Sequence, residues 1–121
     1  MPKSRSVLVV EPDPATHSLI GEWLDAEGWQ LLDDHEPARA DPPSLILLDL
    51  PYPREGGLKV LDDTRVRHPG VPVLVMSPTF FASVGCCGPC AESLGVAGVL
   101  PKPVAREALL DAVRRLARPA H

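Results

Sequence analysis

The sequence predicts an α/β fold with a parallel sheet covered by helices on both faces. Short apolar runs rich in β-branched residues recur along the chain, at "SVLVV" (6–10), "SLILLDL" (44–50), "VPVLVMS" (71–77) and "GVLP" (98–101). Strands buried on both faces read as continuous apolar runs of this kind. The segments between them have helical spacing, and alternation at this length implies right-handed crossovers between parallel strands. At 121 residues, the chain reads as a single domain spanning 1–121, large enough for a core without disulfides or metals.

The first strand, Ser6 to Val10, runs into "EPDP". Asp13 before Pro14 reads as a helix N-cap followed by proline at the first helical position. The helix that follows carries Leu19, Ile20, Trp23 and Leu24 on one face and stops at Gly28. "WQLLDD" (29–34) is a second strand. "HEPARADPP" (35–43) has room and composition for no more than a turn of helix, so the second helix is expected to be shortened. The strand at 44–50 ends in Asp49, and "PYPREGG" (51–57) is a loop. "LKVLDDTRVRHPG" has helical spacing at Leu58, Leu61 and Val66 and stops at Pro69-Gly70. The fourth strand ends at Ser77. A long loop and a short helix over "AESLGV" (91–96) lead to the fifth strand. "VAREALLDAVRRLA" then closes the pattern as an amphipathic helix with Leu109, Ala112, Val113 and Leu116 inward. Glu107 near its start and Arg114, Arg115 and Arg118 near its end suit the helix dipole.

Composition excludes several classes. The net charge of -4 gives no basic footprint for nucleic acid or an anionic membrane surface. No apolar run approaches the ~20 residues of a membrane span, and the apolar run after the N-terminus is too short for a signal peptide. These features point to a cytoplasmic protein, where a disulfide is transient rather than structural. Proline is the outlier, at 15 of 121 residues against an average near ~5%.

Open parallel sheets bind their ligands at the carboxyl ends of the strands. The residues there are Glu11, Pro12, Asp13, Asp49, Ser77 and Lys102. Clustered carboxylates suit a hard cation such as Mg²⁺. A lysine and a hydroxyl converging on a carboxylate suit a phosphoryl group, whose transfer depends mainly on positioning and charge neutralisation. No glycine-rich nucleotide loop is present, which leaves the aspartate itself as the natural acceptor.

Four segments together resemble the receiver domains of two-component response regulators: "VLVVEPDP", "LILLDLPYPREGG", "VPVLVMS" and "GVLPKP". Singly they are weak; in this order and at near-family spacing, over nearly the whole chain, they are specific. The resemblance implies a doubly wound, five-stranded sheet of flavodoxin-like order 2-1-3-4-5. It implies Asp49 as phosphoacceptor, with Ser77 as switch hydroxyl and Lys102 pairing with the acceptor and then the phosphoryl group. It implies a Mg²⁺ site from Glu11, Asp49 and the backbone carbonyl of Pro51, with Asp13 a helix cap first and a metal ligand second.

The departures from the family cluster in one place. The second acid of the metal-binding pair is Pro12 here. Pro51 and Pro78 stand where backbone N–H groups cradle the phosphoryl oxygens, and proline has none to offer. Each lost charge-assisted hydrogen bond is worth about 1.5–3 kcal/mol, so the pocket reads as degraded. The place of the family's aromatic switch residue is Val99, too small to swing between buried and exposed positions.

Every cysteine lies in "CCGPC" (86–90). Cys87 to Cys90 spells the thioredoxin tetrapeptide, and Gly88-Pro89 suits a helix start that lowers the pKa of the Cys87 thiol. Thioredoxins place the motif close after its strand and behind a tryptophan, and neither holds here. A structural turn, a redox switch through Cys87 and Cys90, and metal binding that includes Cys86 stay open.

Two functions therefore compete. One is a stand-alone receiver that is not an enzyme, phosphorylated on Asp49 by a histidine kinase or phosphotransfer protein. It would act on a downstream protein through the face that the family builds from its fourth helix, fifth strand and fifth helix. The other is a pseudo-receiver that binds its partner without phosphate, possibly under thiol control.

Overall fold

A computed structural model of the protein describes residues 6–11, 13–33, 43–49, 58–77 and 95–117. Along these the chain forms β1 (Ser6–Val10), α1 (Pro14–Ala26), β2 (Gln30–Asp33), β3 (Leu45–Asp49), α2 (Leu58–Arg67), β4 (Val73–Ser77), β5 (Gly98–Pro101) and α3 (Arg106–Leu116). The strands make one sheet in the order β2-β1-β3-β4-β5. All four pairings are parallel, with Val9 opposite Leu47, Leu48 opposite Val75 and Met76 opposite Leu100. The doubly wound sheet expected from the strand runs is therefore present.

Period-two alternation divides the core. Val7 and Val9, Leu45 and Leu47, Leu74 and Met76, and Leu100 point to one face, where α1 supplies Ile20 and Leu24 and α3 supplies Leu109, Leu110 and Val113. Leu8, Ile46, Leu48, Val73, Val75 and Val99 point to the other, against Leu61 of α2. With both faces covered, the strands need apolar residues at every position, which is why they read as unbroken runs.

Local grammar sets the helix ends. Asp13 is the N-cap of α1, its carboxylate accepting from the Thr16 backbone N–H at 3.0 Å and from the Thr16 hydroxyl at 2.6 Å. Gly28 follows that helix with φ 84°, a conformation that only glycine adopts without strain. At the far end of α1, Glu27 reaches Arg114 of α3 at 3.5 Å.

Some expected inward positions differ. Val66 is 80% exposed, because five steps past Leu61 carry it well round the helix. Thr64, three steps on, is buried instead, and its hydroxyl donates to the Val60 carbonyl oxygen. Leu19 is exposed beside buried Ile20, and on α3 Leu110 joins the core while Leu116 is only partly covered. The shortened helix expected between β2 and β3 falls on residues outside those described.

Candidate functional site

Parallel strands leave their carboxyl ends at one edge of the sheet, and three charged residues meet there. Glu11 lies two positions past Val9, Asp49 two past Leu47, and Lys102 two past Leu100. Each thus continues a row that points toward α1 and α3. Lys102 Nζ donates to Glu11 Oε1 at 2.8 Å and to Asp49 Oδ1 at 2.9 Å. The Glu11 side chain is 1% exposed, that of Asp49 6% and that of Lys102 20%. A buried carboxylate requires such a partner, since desolvation of an unpaired charge costs far more than a hydrogen bond returns.

Burial alone disfavours the Lys102 ammonium. Its hydrogen bonds to Glu11 and Asp49, with the negative charge of both, outweigh that and raise its pKa above the ordinary lysine value of 10.5. The other oxygen of Glu11, Oε2, accepts the backbone N–H of Asp13 at 3.3 Å. Both oxygens of this carboxylate therefore have donors. The Thr16 hydroxyl, then its backbone N–H, hold the Asp13 carboxyl below its usual value of 3.8.

Ser77 is fully buried at the end of β4, opposite Pro101 in the sheet, and its carbonyl oxygen accepts the Lys102 backbone N–H at 3.0 Å. That bond ties the lysine's backbone to the strand carrying the hydroxyl. Val99 is fully buried between the sheet and α2. Of the expected site residues, Glu11, Asp49 and Lys102 are in direct contact and Ser77 adjoins them through the backbone. Pro12, Pro51, Pro78, Cys86, Cys87 and Cys90 lie outside the described residues.

As arranged, these side chains do not make a divalent-cation site. Glu11 and Asp49 both hold the lysine, and Asp13 turns its carboxylate to Thr16 rather than to them. Among the described residues no three or more His, Cys, Asp or Glu side chains converge to hold a metal. The hydrogen bond from the Asp13 N–H to Glu11 is the contact that sequence reasoning missed. Its only signal was the two-residue step from Glu11 to the cap.

No family model matches the chain. Response regulator MprA of Mycobacterium avium is 31% identical over 118 residues, which cover 93% of this chain and 50% of that protein. The chain spans half or less of the length of the curated relatives it matches. Among solved structures, the chemotaxis protein CheY4 of Vibrio cholerae matches with TM-score 0.71 and 18% identity, over 94% of this chain and 99% of that one. A response regulator protein from Burkholderia pseudomallei, solved with a phosphorylated aspartic acid, a calcium ion and citrate, matches with TM-score 0.66 and 20% identity, over 90% of this chain and 66% of that one. No helix among the described residues is long and apolar enough to cross a membrane. With the strand order, the strand-end charges and relatives that are themselves response regulators, the chain belongs to the response-regulator receiver family of two-component signalling.

Proposed function

We propose that this receiver domain accepts a phosphoryl group on Asp49. The observation that carries the reading is the ion pair of Lys102 Nζ with Asp49 Oδ1, at 2.9 Å, at the carboxyl edge of a parallel sheet. A carboxylate oxygen of Asp49 attacks the phosphorus of the donor. The bond from phosphorus to the imidazole nitrogen of a phosphohistidine, or to the carboxyl oxygen of acetyl phosphate, breaks, and the leaving group departs with the electron pair. Lys102 is already in place to neutralise the charge gathered on the acceptor. Ser77, at the tip of the neighbouring strand, is the hydroxyl placed to follow the new phosphoryl oxygens. The relatives' role makes a histidine kinase or phosphotransfer protein the donor and a protein the recipient of the signal.

A second reading is a binding module that works without phosphate. One observation favours it: prolines at 12, 51 and 78 remove an acid and two amide donors from the places the family uses around its acceptor. Intact-protein mass after incubation with acetyl phosphate, with and without MgCl₂, separates the two, beside an Asp49→Asn control. One phosphoryl group on the wild type and none on the control supports the first reading. No addition, or equal addition to both, overturns it in favour of the second. Thiol titration of Cys87 and Cys90 after mild oxidation then tests for redox control of that module.

A further inference from the structure

We infer that Lys102 is the resident cation of this pocket: its ammonium holds the two carboxylates a divalent metal would need, so metal and lysine compete for Glu11 and Asp49. The competition is a property of three buried charges. It goes beyond the phosphoacceptor reading and holds whether or not Asp49 takes a phosphoryl group.

The donor set leads to this conclusion. Mg²⁺ in a protein is held by one or two carboxylates with several retained waters. Two buried carboxylates are what this pocket has, and one ammonium contacts both, at 2.8 and 2.9 Å. Glu11 has no oxygen to spare, since Oε1 accepts from Lys102 and Oε2 from the Asp13 N–H. A metal ion that takes Glu11 must displace one of these donors. Asp13 cannot join as a further carboxylate while it caps α1 through Thr16.

Charge then decides the direction. Glu11 and Asp49 carry two negative charges and Lys102 returns one positive. A divalent ion entering beside the ammonium meets a like charge within hydrogen-bond range, in a site where solvent screens little. A charge at that distance changes the proton affinity of a neighbouring group by about ten- to a thousandfold. Its effect on a divalent ion is at least comparable. The lysine therefore weakens metal binding, and a metal that does bind expels the lysine from Glu11 toward solvent.

Isothermal titration of MgCl₂ into wild type, Lys102→Met and Lys102→Met/Glu11→Gln tests this at matched ionic strength. Lys102→Met is expected to bind Mg²⁺ about tenfold tighter than wild type or better, and adding Glu11→Gln is expected to reverse the gain. Equal or weaker binding by Lys102→Met overturns the inference. Where that variant does not fold, wild type decides the question through acetylation of the Lys102 amine, read by peptide mass. The amine is expected to acetylate faster as MgCl₂ is raised but not as NaCl is raised. A rate that MgCl₂ leaves unchanged overturns the inference. Neither measurement depends on phosphorylation, so failure of Asp49 to accept a phosphoryl group leaves this test intact.

Discussion

Lys102 and Glu11 lie 91 positions apart in the chain and meet at 2.8 Å, with the same ammonium reaching Asp49. This contact joins the ends of the first, third and fifth strands into one charged cluster. The sheet order makes it possible: β3 separates β1 from β4, so the tips of β1 and β3 are neighbours and a long side chain from beyond β5 spans the remaining gap. The cluster balances its charge in part by itself, and the removal of any one member alters both others.

Replacing Lys102 with Met leaves two buried carboxylates facing each other without a counter-charge. Breaking a buried pair in this way destabilises by about 3–5 kcal/mol, and the one-fifth exposure of Lys102 places the loss nearer ~2–3 kcal/mol. Adding Glu11→Gln to that variant removes one of the repelling charges and should restore about 1 kcal/mol. Urea denaturation of the two single variants and the double measures the coupling directly. A Lys102→Met protein as stable as wild type would mean that the two carboxylates tolerate each other.

The raised pKa of Lys102 gives this contact a pH signature. The folded value lies above the ordinary 10.5, so the contribution is fully present below 10.5 and is lost as pH rises through the folded value. Urea midpoints of wild type and Lys102→Met should therefore converge in the alkaline range above 10.5, and not near neutrality. A gap that is constant across that range contradicts an ammonium-based contact.

The sequence made most of the fold legible because both faces of the sheet are covered. Runs such as "LILLD" signal burial on both sides with no partner information, and parallel pairing follows from the helical lengths between them. The members of the cluster were also legible, since Glu11, Asp49 and Lys102 each stand two steps past a core residue of their own strand. The lysine's simultaneous hold on both acids was not. The choice of one acceptor or two depends on distances between strands, which no local pattern encodes. The exposure of Val66 escaped for a simpler reason. Apolar spacing five apart sits between helical neighbours at three and four, and only packing against the sheet decides which side wins.

Asp13 should behave as a helix cap in solution. Asp13→Ala removes the acceptor for the Thr16 N–H and hydroxyl and should lower the melting temperature, with Asp13→Asn falling between the two. The folded pKa is depressed below 3.8, so the cap's contribution is present above that value and fades as pH falls through the folded one. Thermal melts of wild type and Asp13→Ala should differ at neutral pH and draw together well below 3.8. The same variant changes the backbone near Glu11 little, so its Mg²⁺ affinity should stay close to that of wild type.

Gly95 is the position where a single methyl group should cost most for its size. It holds φ 71° at the turn before β5, and a Cβ built there stands 3.0 Å from Arg65 Nη2. That guanidinium donates to the Gly95 carbonyl oxygen, linking α2 to the turn. Two effects therefore oppose Gly95→Ala, the left-handed backbone at about 1–2 kcal/mol and the contact with Arg65. The arginine is long and can move by a few tenths of an ångström, whereas the backbone angle is set by the turn. The strain should dominate: Gly95→Ala is expected to destabilise by about 1–2 kcal/mol, and nearly as much in an Arg65→Ala background. If Arg65→Ala abolishes the penalty, the close approach is the cause, and Gly95 is there to make room for the guanidinium instead of to turn the chain.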